Sequence, residues 1–153
     1  MEFYTVSLFG HRKIEDLFRL EELLVPVIKD LMQTKEYITF LIGRNGEFDE
    51  FAASVIKSLQ KKIRKDNNDM TLVLPYPVAN LEYYEQYYDS VMIPEIMHGV
   101  YPKFAITLKN RWMIDRSDIV VVYSEHEKGG SYAALKYAEK QNKRVVHLLT
   151  SAL

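Results

Sequence analysis

The chain has 153 residues, 48% of them hydrophobic, which is the size of one ordinary domain with enough apolar material for its own core. It has no cysteine, so disulfides, thiolate metal sites and cysteine nucleophiles are excluded. Its 20 basic and 21 acidic side chains leave a net charge of −1, which offers no overall field to an anionic membrane and argues against nucleic acid as a partner.

Met1-Glu2-Phe3-Tyr4 has neither the basic start nor the apolar run of a signal peptide, and nowhere do about 18 apolar residues run together, so a cytoplasmic protein is expected. Tyr4 to Phe9 reads as a strand ending at Gly10. From Ile14, apolar residues recur at Leu17, Leu20, Leu24, Val27, Ile28 and Leu31, the stripe of an amphipathic helix that Pro26 is expected to kink or split. Tyr37 to Ile42 is a second strand, closed by Gly43. Phe48, Phe51, Ala52, Val55, Ile56, Leu59 and Ile63 then mark a helix whose basic end, Lys61 to Lys65, suits the helix dipole. Met70 to Leu74 is a third strand, stopped by Pro75 and Pro77.

The stretch 75–102 is too long for a plain connection and carries Tyr76, Tyr83, Tyr84, Tyr87, Tyr88 and Tyr101. It reads as an insert or lid with a short helix over Leu81 to Asp89. Lys103 to Asp115 follows as a helix with Phe104, Leu108 and Trp112 on one side. Ile119 to Tyr123 is an unbroken apolar run, the mark of a strand covered on both faces. Gly129-Gly130-Ser131 opens a helix through Ala134, Leu135 and Ala138, and Arg144 to Leu149 closes the chain as a fifth strand.

Strands alternating with helices predict a Rossmann-like three-layer sandwich. The expectation is a single domain over 1–153, built on a mainly parallel five-stranded sheet of order 3-2-1-4-5. In that order the ligand crevice lies beyond the carboxyl ends of the first and fourth strands. The turns there are Gly10-His11-Arg12 and Ser124 to Ser131, with Gly43 to Gly46 beside them. Gly129-Gly130-Ser131 at a helix start aims backbone N–H groups at an anion, and Arg12 adds a cation. Plain helix capping by Ser131 is the structural alternative.

Asp49, in the first turn of the second helix, is the best carboxylate for holding ribose hydroxyls or for acid/base work. Glu125 is the other carboxylate expected at the crevice. His11, His98, His126 and His147 lack metal-ligand spacing, so no metal is expected. Ser7 and Ser124 lack a nucleophile-elbow motif. No cofactor fingerprint is present, neither a Walker loop nor GxGxxG.

Ser7-Leu8-Phe9-Gly10-His11-Arg12 resembles the "TGHR" opening of small proteins of the SLOG superfamily, named for Smf/DprA and the Lonely Guy enzymes. Gly43 to Ala53 is similar to its glycine–aspartate turn. Ala105 to Asp118 is similar to a segment ending in "RN-x-x-M-V-D-x-S-D", and Ile119 to Ala138 to the strand and "GG(T/S)…YA" turn that follow. The resemblance implies a Rossmann-like fold and a nucleotide or nucleotide-derived ligand. It also implies ligand-side residues Gly10, His11, Arg12, Gly43, Asp49, Asn110, Arg111, Gly129, Gly130 and Ser131.

Lonely Guy enzymes carry a "PGGxGTxxE" turn, whereas this chain reads Gly129-Gly130-Ser131-Tyr132-Ala133-Ala134 and lacks the glutamate. Binding or sensing of a nucleotide-like molecule is therefore placed first. An N-glycosidic-bond enzyme using Asp49 or Glu125 comes second. Beside it stands a protein-interaction module with a vestigial pocket, and the abundant aromatic residues are compatible with a homodimer.

Overall fold

The computed structural model describes residues 1–150. Its strands are β1 (Phe3–Gly10), β2 (Tyr37–Ile42), β3 (Asn68–Val73), β4 (Ser90–Met92), β5 (Ile119–Tyr123) and β6 (Arg144–His147). They form one six-stranded sheet of order β4-β3-β2-β1-β5-β6, and every pairing is parallel. The five strands read from the sequence fall in the expected order. The sixth, β4, pairs with β3 through Thr71, Leu72 and Val73 and extends the edge. Its three residues, Ser-Val-Met, are too short for any periodicity to announce them, so the expected five-stranded sheet is corrected to six.

The helices are α1 (Leu17–Thr34), α2 (Glu47–Lys62), α3 (Leu81–Tyr87), α4 (Pro102–Asp115) and α5 (Gly130–Lys140). The core has two halves, one on each face of the sheet. On one face Leu20, Leu24 and Ile28 of α1 and Phe48, Ala52 and Ile56 of α2 pack on Val6, Leu8, Ile38 and Phe40. On the other, Met113 and Ile114 of α4 and Ala134, Leu135 and Ala138 of α5 cover Phe9, Leu41, Val120 and Val122. All five residues of β5 are buried, as a strand sandwiched between helix layers requires. Because the helices change faces between β4 and β5, strand order reverses between β1 and β5, and a crevice opens there at the carboxyl edge.

Three local expectations are revised. Pro26 lies within one unbroken α1. It sits on the solvent side, while Leu20, Leu24, Ile28 and Leu31 hold both halves of the helix to the sheet and offset the roughly 3 kcal/mol that an interior proline costs. Helix α1 begins at Leu17, where Asp16 Oδ1 accepts the Arg19 N–H at 3.0 Å. In α4 the buried face is Ala105, Lys109, Met113 and Ile114, while Phe104 is half exposed. The aromatic stripe is one residue out of phase with the true inner face, because that face carries a lysine.

Ser117 and Asp118 tie this region to β1. Ser7 and Ser117 share a hydroxyl hydrogen bond of 2.6 Å, and the Thr5 N–H donates to Asp118 Oδ2 at 2.8 Å. Ser7 and the Ser-Asp pair that precedes β5 are thus fasteners of the sheet's two halves.

Candidate functional site

A cavity of about 350 Å³ occupies the crevice between β1 and β5, at the small end of ligand-site volumes of roughly 300–1,000 Å³. Gly10, His11, Arg12, Gly43, Asp49, Asn110, Gly129, Gly130 and Ser131 all line it, together with Asn45, Ile106 and Lys109. Glu125 and Arg111 do not. Glu125 sits on the exposed turn after β5. Arg111 opens onto a separate groove, its guanidinium 5.0 Å from the centre of the Tyr137 ring.

His11 joins the two glycine turns. Its Nε2 accepts the Glu125 backbone N–H at 2.7 Å, and its Nδ1 lies 3.2 Å from Ser131 Oγ. With Nε2 an acceptor, the neutral ring carries its proton on Nδ1 and donates it to Ser131 Oγ. The serine hydroxyl hydrogen is then free to turn into the cavity. Burial, the largest influence, lowers the His11 pKa; nearby Glu125 opposes the shift and His126 adds to it. The neutral form that this bonding pattern needs is therefore the favoured one.

The glycines serve different ends. A Cβ on Gly10 would lie 2.1 Å from Phe48 Cγ, and one on Gly46 would lie 2.4 Å from Arg12 Cα. Both residues exist for close packing of α2 on the first turn. The α2 start is also closed by hydrogen bonds: the Glu47 N–H donates to the Arg12 carbonyl at 2.8 Å and the Phe48 N–H to the His11 carbonyl at 3.2 Å. At α5, by contrast, a Cβ on Gly129 or Gly130 would meet nothing within 4 Å, and Gly129 has a φ of 91°. No side chain caps this helix. Its first residues, Gly129 to Ser131, line the cavity at the positive end of the helix dipole.

Two buried ionisable side chains lie at the cavity. Asp49 is 7% exposed and its Oδ2 accepts the Asn45 N–H at 2.8 Å. Burial raises its pKa, against the pull of that hydrogen bond and of Lys109. Lys109 is 1% exposed, and its ammonium makes no hydrogen bond or ion pair among the described residues. Burial pushes its pKa down to about 8, with Asp49 opposing. A Cβ on Gly43 would lie 2.6 Å from Lys109 Nζ and 3.2 Å from Asp49 Oδ2, so glycine leaves the space in which the two approach. Asn110 Oδ1, also at the cavity, is buried without a partner. Leaving a buried polar atom unpaired is costly.

Lys109 is the residue that reading the sequence missed. A signal was present: with Asn110 placed on the asparagine of "RN-x-x-M-V-D", the basic position falls on Lys109 and not on Arg111. A lysine in place of arginine, off the side marked by Phe104, Leu108 and Trp112, concealed it.

No protein-family model matches the chain, and no curated protein matches its sequence. Among solved structures, it is similar to DNA processing protein A from Helicobacter pylori, described for its single-stranded DNA binding mode. The TM-score is 0.63 at 15% identity, covering 93% of this chain and 63% of that one. At this identity the likeness is one of fold, a Rossmann-like three-layer sandwich. The chain is also similar to the Moco carrier protein of Chlamydomonas rheinhardtii, with a TM-score of 0.55 at 16% identity, covering 95% and 76%. This chain therefore spans only 63% of the DNA-processing protein's length.

The first likeness corrects one expectation. A near-neutral net charge was taken to argue against nucleic acid, yet a protein of this fold binds single-stranded DNA. Net charge sums the whole surface, whereas a nucleic acid meets local fields and helix ends. Among the described residues no helix is long and apolar enough to cross a membrane, and no cluster of three or more potential metal ligands occurs.

Proposed function

We propose that the cavity between β1 and β5 binds a phosphate-bearing nucleotide or nucleotide-derived molecule. The observation that carries this reading is Lys109, an almost fully buried cation with no acceptor among the described residues, in the same cavity as the uncapped start of α5. Leaving a buried charge unpaired is expensive, and an anion entering the cavity relieves that cost. A phosphate at Gly129–Ser131 gains about 0.3–1 kcal/mol from the helix dipole, rising to about 2 where partly buried. A charged hydrogen bond from Lys109 or Arg12 adds roughly 1.5–3 kcal/mol.

Asp49 and Asn110 supply acceptors for sugar hydroxyls or a base edge. Asp49 is the one carboxylate lining the cavity, Glu125 lying outside it, which favours binding over chemistry that needs a carboxylate pair. The likeness to a single-stranded DNA binder supports a phosphate ester as ligand.

Thermal-shift titration tests the proposal with AMP, other nucleoside mono- and diphosphates and a short oligodeoxynucleotide. A ligand present at 100 times its Kd stabilises by about 2.7 kcal/mol. If no member of this set raises the melting temperature, the reading is wrong.

A further inference from the structure

The Lys109 amine is reachable from the cavity and makes no hydrogen bond among the described residues, and a carboxyl group stands beside it, which holding an anion does not require. Its Nζ opens on the cavity, and the absence of a side chain at Gly43 leaves room for Asp49 Oδ2 close by. The Asp49 carboxylate is held from the other side by the Asn45 N–H, which fixes its orientation. The uncapped α5 start, Gly129 to Ser131, shares the same cavity. A small molecule anchored there by a phosphate would present its other end to Lys109.

We propose that Lys109 forms an imine with the aldehyde or ketone carbon of a small phosphorylated carbonyl compound whose phosphate sits on Gly129–Ser131. The proposal deepens the phosphate-ligand reading of this cavity and rests on it. The neutral amine attacks the carbonyl carbon while the protonated Asp49 carboxyl gives its proton to the carbonyl oxygen, which becomes the hydroxyl of a carbinolamine. Asp49 takes a proton from the nitrogen and returns one to that hydroxyl. The hydroxyl then leaves as water while the nitrogen lone pair closes the C=N bond. Nothing is oxidised or reduced.

Burial favours both partners in this exchange. It pushes Lys109 down to about 8, so part of the amine is neutral near pH 7, and it raises Asp49 toward the form that can donate. An arginine at this position would hold a phosphate equally well but form no imine, so the lysine is what makes the reaction available.

The test is reductive trapping on the full chain. The protein is mixed with pyridoxal 5′-phosphate as probe, reduced with borohydride, digested and mapped by mass spectrometry. A single dominant adduct on Lys109 is expected, suppressed by AMP. Pyridoxal without the phosphate should label Lys109 roughly tenfold less, the ratio that about 1.4 kcal/mol of anchoring gives. Lys109→Arg should lose the adduct while keeping its circular dichroism spectrum. Label spread over exposed lysines, with none on Lys109 of the unsubstituted chain, overturns the imine. If AMP still raises the melting temperature in that case, the phosphate-ligand reading survives; if it does not, both fail.

Discussion

The turns that lead into α2 and α5 look alike in sequence, each a pair of glycines close before a helix, but the fold uses them in opposite ways. At α2 the first N–H groups are taken by the carbonyls of His11 and Arg12, and Gly46 lets those two segments touch. The Glu47 carboxylate completes the closure by accepting the Ile14 N–H at 2.7 Å. At α5 no side chain caps the helix and no atom crowds Gly130. One helix start is consumed in building the edge of the sheet, and the other is left open. Glycine near a helix start is therefore not evidence of a phosphate site until the destination of the N–H groups is known.

The contrast is broken most forcefully by adding a methyl group at each turn. Gly46→Ala places a Cβ against the Arg12 backbone, which cannot swing aside, and should cost about 3 kcal/mol in urea denaturation. Gly130→Ala meets open space and should change stability by no more than about 0.5 kcal/mol. Equal losses at the two positions would refute the division between a closed and an open helix start.

Lys109 sharpens the same contrast from the far wall of the cavity. Lys109→Met removes a buried charge without opening a void. It should weaken AMP binding by roughly 1.5–3 kcal/mol, measured by calorimetry. The ligand-free protein should be no less stable, because the burial cost of the cation disappears with it. In the unsubstituted chain, affinity should fall as pH rises through about 8, where the ammonium loses its proton. The unfolded chain holds that proton up to about 10.5, so between these values the unfolded state binds more protons. This group therefore makes ligand-free stability rise with pH across that window. A binding profile flat from pH 7 to about 9.5 would count against a charged Lys109 in recognition.

The smallest effect is expected at Ser131. Ser131→Ala takes away the acceptor of the His11 proton and a hydroxyl free to turn into the cavity, while the helix start stays open. A loss of about 0.5–1.5 kcal/mol in AMP affinity is expected. A loss as large as that of Lys109→Met would mean that the serine, and not the helix start, is the main phosphate contact.

Much of the fold was legible because it rests on short-range pattern. The continuous apolar run Ile119–Tyr123 marked a strand covered on both faces, and the period of Phe48 to Ile63 marked α2. β4 was not legible, since Ser90–Met92 is a strand only because the β3 edge offers it hydrogen bonds. In the site, the glycine turns were visible as turns. The face of α4 was not, because exposed Phe104 and buried Lys109 reverse the ordinary preference of their residue types.

The sequence by itself determined the alternation of strands and helices, their order in the sheet, and hence which turns crowd the β1–β5 crevice. Those outcomes follow from hydrophobic period and parallel crossover geometry, both local or nearly so. The tertiary structure alone decided which helix start stays open, that His11 bridges to Glu125 and Ser131, and that a mostly buried lysine opens on the cavity with no hydrogen-bond partner among the described residues. Each of these depends on atoms far apart in the chain meeting at a few ångströms, and pattern along one chain does not encode that distance.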